Sequence, residues 1–141
     1  MKSPHAISKA DFQALAEFRF QLRRFLHFSE DAAKAEGLTP LQYQLLLQVK
    51  GLPDDEQASI GRLALRLQLS HHGTVSLVTR CERAGLVVRA EGLLDRRQVE
   101  VVLTPMGETA VRRIARRHSS ELRSLSEVFQ VALLTEFNDE E

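Results

Sequence analysis

The segment "SIGRLALRLQLSHHGTVSLVTRCERAGLVVR", Ser59 to Arg89, limits the possible fold more than any other part of the chain. Two serines stand ahead of two short runs with helical apolar spacing. A serine hydroxyl accepts from an amide of the first helical turn, so Ser59 caps a helix bearing Ile60, Leu63, Ala64 and Leu67 on one face. Ser70 caps the next helix after a tight turn at Gln68-Leu69. In that second helix, steps of about 100° from Thr74 bring Leu77, Val78 and Cys81 into one stripe and turn His72, Ser76, Thr79 and Arg83 to the opposite side. One face packs and the other is free to hydrogen-bond. From Leu86 the period drops to two: "LVVRA" and "QVEVVL" flank "EGLLDRR", with Val99, Val101 and Leu103 alternating with Gln98, Glu100 and Val102. This pattern predicts a two-stranded hairpin with a charged tip.

The flanks are helical. Ser8 caps a long first helix with Asp11 in its first turn, and Phe12, Leu15, Ala16, Leu22, Phe25 and Leu26 recur along it until Gly37 offers a stop. Phe18, Phe20 and Phe28 widen its apolar surface beyond one stripe, which implies a second neighbour or a second copy of the chain. Thr39-Pro40-Leu41-Gln42 is a capping box with proline at the first helical position, predicting a helix to about Lys50 before "GLPDDE". Thr104-Pro105 repeats that start. A last helical region is expected through "ETAVRRIARRHSSELRSL", with "SEVFQVALLTEF" continuing it or forming a separate short helix. The expected fold class is mainly α with a small β-hairpin, an α+β winged helix-turn-helix between long N- and C-terminal helices.

The 141 residues suit one domain with a core of its own. Nineteen basic and nineteen acidic side chains cancel, so any electrostatic signal must be local. From Ser59 to Thr104 seven arginines face four acids, a surplus of three positive charges where the motif sits. One cysteine precludes an internal disulfide. "MKSPHAISKADF" lacks the pattern of a secretory leader, and no apolar run approaches the roughly 20 residues of a membrane helix, so a soluble, cytoplasmic chain without membrane association is expected.

In a helix-turn-helix the second helix lies in the major groove and presents residues near its N-terminus to base edges. Ser70, His71, His72, Ser76, Thr79 and Arg80 are the polar candidates, with Val75 at the margin for a thymine methyl. Gly73 allows close approach of the backbone to phosphate. At the hairpin tip, Arg96 and Arg97 suit the narrow minor groove or its phosphates, and Asp95 is expected to hold an arginine and the turn in position.

His71 and His72 point about 100° apart and do not readily share a metal ion, while His5, His27 and His118 lie far off in sequence. No metal or other cofactor is expected. Cys81 belongs to the apolar stripe as a small core residue, not a redox sensor. No nucleophile, paired-carboxylate or phosphate-loop pattern points to an enzyme.

With these residues in place, the chain resembles the MarR family of bacterial transcriptional regulators over nearly its whole length. The resemblance rests on "LTPLQYQLLLQV", on the helix-turn-helix segment and most specifically on "DRRQVEVVLTPMG". The last combines the family's Asp-x-Arg wing tip, Asp95 and Arg97, with the closing strand and the Leu103-Thr104-x-x-Gly107 start of the next helix. The resemblance implies a homodimer joined by terminal helices, 1–36 and 105–141, around a DNA-binding lobe at 37–104. It implies a pseudo-palindromic double-stranded operator, usually repressed, and in many members a small aromatic or phenolic ligand that releases DNA by changing the spacing of the lobes. Half-sites about 34–36 Å apart tolerate little such change.

There are departures. Cys81 stands where the family usually has leucine. The first helix lacks the cysteine of redox-sensing members, and the end after Leu125 is shorter than usual. A winged-helix module that binds protein without reading DNA is the competing expectation.

Overall fold

In a computed structural model, the described residues run from 6 to 134, with side chains described through residue 127. His5 and the end of "SEVFQVALLTEF" lie outside them. The chain forms two compact units. One spans Ala32–Arg117, and the other joins the chain through Asp31 to the part beginning at His118.

Helix α1 covers Lys9–Ala35. Ser8 and Asp11 cap it reciprocally: the Asp11 amide donates to Ser8 Oγ at 3.2 Å and the Ser8 amide donates to Asp11 Oδ2 at 2.8 Å. Its end is a glycine stop in which the Leu38 amide donates to the Ala33 carbonyl and the Gly37 amide to that of Lys34. Helix α2, Pro40–Gly51, carries the expected capping box, with Gln42 N donating to Thr39 Oγ1 and Thr39 N to Gln42 Oε1.

Helices α3, Ile60–Leu67, and α4, His71–Arg83, start at Ser59 and Ser70, whose hydroxyls accept from the Arg62 and Gly73 amides. The turn between them uses Gln68 in the left-handed region, at φ 55°, a conformation more usual for glycine. Helix α4 ends as α1 does. Gly85, at φ 78°, donates its amide to Glu82, while the buried Leu86 donates to Cys81.

Strands β1, Val87–Glu91, and β2, Val99–Leu103, pair antiparallel with Val87 opposite Leu103 and Glu91 opposite Val99. Paired residues share a face. Val87 and Val101 are buried, whereas Val99 on the same face is exposed, so the hairpin runs past the edge of its own core. Helix α5, Pro105–Arg117, begins at Thr104, whose hydroxyl accepts from the Gly107 amide and donates to the Gly85 carbonyl at 2.6 Å.

One helix boundary differs from expectation. The helical region after Thr104 breaks at His118, and α6 then runs Ser119–Leu134. No proline or glycine marks the break. His118 is buried edge-on to Phe25 and Phe28, ring centroids 5.6 and 5.3 Å away, within its own unit. The compact units divide at 31/32 and 117/118, which places α5 with the helix-turn-helix and the hairpin. The reason is packing. Val111 and Ile114 of α5 are buried in the unit whose core also holds Leu45, Leu46, Leu63, Leu77, Val78 and Cys81.

Candidate nucleic-acid interface

Helix α4 is amphipathic in the predicted sense. Leu77, Val78 and Cys81 are buried, joined by Thr74, whose hydroxyl donates to the Ser70 carbonyl at 2.8 Å. Ser70, His71, His72, Ser76, Arg80 and Arg83 are exposed, with Gly73, Val75 and Thr79 half-buried beside them. The Gly73 amide is committed to the cap, and a Cβ there would stand 3.0 Å from Ser70 Oγ, so a side chain would crowd the capping hydroxyl.

The Thr79 hydroxyl also has partners inside the fold. It donates to the Val75 carbonyl and accepts from Arg89 Nη2 at 3.1 Å. Arg89 of β1 further donates through Nη1 to Glu82 Oε1 at 2.9 Å, and its amide donates to Glu82 Oε2. This pair ties the polar flank of α4 to the first strand. In the sequence Arg89 and Glu82 contribute only to the local charge balance, because their meeting depends on how the strand returns past the helix.

The tip, residues 92–98, is organised by two side chains. Asp95 accepts from Arg97 three times: from its amide and Nε at Oδ1, 3.0 and 3.1 Å, and from Nη2 at Oδ2, 3.1 Å. The Arg97 guanidinium thereby holds the Asp95 carboxyl below its ordinary range, and Asp95 in turn raises Arg97. Arg97 stays 90% exposed on the side chain while it is oriented. Arg96 is exposed, and no ion pair involves it among the described residues.

The second organiser is Gln57, which sequence reasoning missed. Its buried side chain reaches 38 positions along the chain, Nε2 donating to the Asp95 carbonyl while Oε1 accepts from the amides of Leu94 and Asp95, each bond 3.1 Å long. Gly92 leaves room for it, because a Cβ there would collide with the Gln57 amide group and the Asp95 carbonyl. Nothing in the local pattern "DEQAS" announces this contact.

Burial pushes the Cys81 thiol up to about 11, against the opposing pull of Arg80, so the neutral thiol dominates near neutrality. Among the described residues no group of three or more His, Cys, Asp or Glu side chains is placed to hold a metal ion. No described helix is long and apolar enough to cross a membrane.

The MarR family model matches residues 36–98, which contain the helix-turn-helix and the wing tip. A Thauera aromatica protein named as a candidate transcriptional regulatory protein for the hcr operon is 32% identical over 103 residues, 70% of this chain and 60% of its own length. The chain thus spans about 60% of that relative's length. Among solved structures, the MarR family transcriptional regulator AbsC from Streptomyces coelicolor is similar with a TM-score of 0.68 at 24% identity, covering 86% of this chain and 82% of its own. The S. aureus MepR–DNA complex gives 0.64 at 19% identity, with 79% and 81% covered. The last two likenesses speak for the fold. The family model lies across both helices and the hairpin tip, so the segment that carries the candidate interface is similar to the MarR family, and the solved structures share its winged helix-turn-helix fold.

Proposed function

We propose that the protein is a dimeric, sequence-specific DNA-binding regulator. The observation that carries the reading is the joint exposure, within one compact unit, of the polar face of α4 at His72 and Ser76 and of Arg96 and Arg97 on a braced hairpin tip. His71, His72, Ser76 and Arg80 face base edges and phosphates in the major groove, with Val75 beside a thymine methyl. Ser70 and Gly73 build the helix N-terminus that a phosphate approaches. Thr79 contributes at most one remaining lone pair and mainly orients Arg89. Arg96 and Arg97 engage the minor groove or its phosphates, with Asp95 setting the arginine geometry.

A second copy is expected along α1. Phe12, Leu15, Leu22 and Leu26 follow spacings of three, seven and four residues, and Phe12 remains 60% exposed in the single chain. Two copies suit a pseudo-palindromic operator, whose occupation represses transcription. Release by a small, aromatic or phenolic effector is part of the reading. A cleft of about 580 Å³ lined by Leu38, Gln42, Leu86, Met106, Ala110 and Arg113 borders the turn from α4 into β1, where an occupant would bear on the seating of both DNA-facing elements.

The test uses a duplex enriched by the protein from a random-sequence pool and measured by fluorescence anisotropy over a range of salt. Arg96→Ala is expected to weaken binding across sequences and to make the log–log salt slope shallower by about 0.9, one phosphate's worth. A salt-independent wild type, or an unaltered slope in the variant, argues for the protein-binding alternative.

A further inference from the structure

The hairpin tip carries an unusual combination: Leu93 is 88% exposed and Leu94 61% exposed, directly before Asp95, Arg96 and Arg97. Two adjacent leucines in water forgo the gain from burial, and natural surfaces carry such residues singly more often than in pairs. Loop slackness does not account for them, because the backbone beneath is held. The Leu93 amide donates to Glu100 Oε2 at 3.3 Å, and the Leu94 amide donates to the buried Gln57. Gly92 is buried and closed in by Gln57 and Asp95. The fold fixes the main chain of the tip while leaving both leucines outside.

We propose that Leu93 and Leu94 form an apolar wedge for the minor groove of duplex DNA, an inference that rests on the DNA-binding reading above. Charge complementarity selects this occupant over a second copy of the chain. The arginines next to the leucines, one of them 90% exposed on its side chain, suit phosphates flanking an inserted apolar tip and would repel the same arginines of an identical tip. The hairpin outruns its own core, as exposed Val99 shows, and leaves both leucines open to a partner. Apolar side chains placed in the minor groove unstack or widen a step at a cost that depends on its stiffness. Each wing thereby reads deformability, favouring pyrimidine–purine steps over rigid A-tracts where no base hydrogen bond is made.

The experiment compares wild type with the double variant Leu93→Ser/Leu94→Ser. The probes are duplexes enriched by the wild-type protein, each rebuilt with either a TA step or an A-tract at the wing position located by hydroxyl-radical footprinting. Wild type is expected to favour the TA duplex. The double variant is expected to bind that duplex about tenfold or more weakly, to lose the preference, and to keep the wild-type salt slope because no charge has changed. Both leucines are exposed, so an unchanged melting temperature accompanies the loss. Equal affinity and equal step preference in the variant overturn the wedge while leaving the DNA-binding reading intact. A change in sedimentation coefficient without loss of DNA affinity overturns it in favour of a self-contact. A wild-type protein that enriches no duplex overturns the DNA-binding reading, and the wedge with it.

Discussion

At the scale of single residues, the organisation of the site comes from side chains that satisfy one another before any partner arrives. Arg97 is held in a fork by Asp95, and that bond is a statement about pH. The carboxyl is lowered in the folded protein, so the pair's contribution is complete above the unfolded carboxyl's range and is lost as pH falls through the folded value. Titration from pH 8 to about 5 should therefore leave the Asp95 contribution to DNA binding constant. Asp95→Asn should reproduce the loss at neutral pH, with Arg97 still charged but no longer aimed. Anisotropy titrations of both proteins across that range check this, and a wild-type affinity that followed a carboxylate titration near pH 6 would contradict it. Arg89 shows why such residues evade sequence reading. It sits on β1 while Glu82 and Thr79 sit on α4, so their meeting is set by the turn between the two elements and by no period within either.

At the scale of elements, the caps and stops behave as local chemistry dictates, and the hairpin does not. Ser8, Thr39, Ser59, Ser70 and Thr104 each accept an amide of the helix that follows, and each was recognisable because its partner lies three residues away. The tip depends on Gln57, which lies before α3 and outside the hairpin altogether. Gln57→Ala removes three hydrogen bonds and leaves the Leu94 and Asp95 amides without their acceptor. Amide exchange at these two positions should speed up about tenfold or more, with little change in the unfolding midpoint of the unit. Hydrogen-exchange measurements on residues 92–98 read this directly. Unchanged exchange would show that Asp95 and Arg97 alone shape the tip.

At the scale of the whole molecule, the even charge balance hides a local surplus, and α1 presents apolar surface that the single chain leaves exposed: Phe12 at 60% and Phe20 at 58%. In the proposed dimer this surface meets a second copy. Phe12→Glu/Leu15→Glu places two charges in the stripe and should shift the protein towards monomer in sedimentation velocity runs, with the 32–117 unit still folded by circular dichroism. DNA affinity should fall with it, because one half-site offers roughly half the contacts. A double variant that remains dimeric would move the interface elsewhere.

The order of elements, their caps, the buried stripe of α4 and the resemblance of residues 36–98 to the MarR family were all readable from the chain, since each depends on contacts within a few residues or on a repeating period. Helix α5 is the instructive exception. Its start was evident at Thr104-Pro105, but its end at Arg117 and its place in the same unit as the hairpin follow from the burial of Val111 and Ile114, which no local period reveals. Likewise Gln57 and Arg89 became meaningful only when the chain had folded back on itself. Local periodicity and capping are governed by neighbours in sequence; which distant polar groups meet is governed by packing, and the bracing of the candidate interface belongs to the second kind.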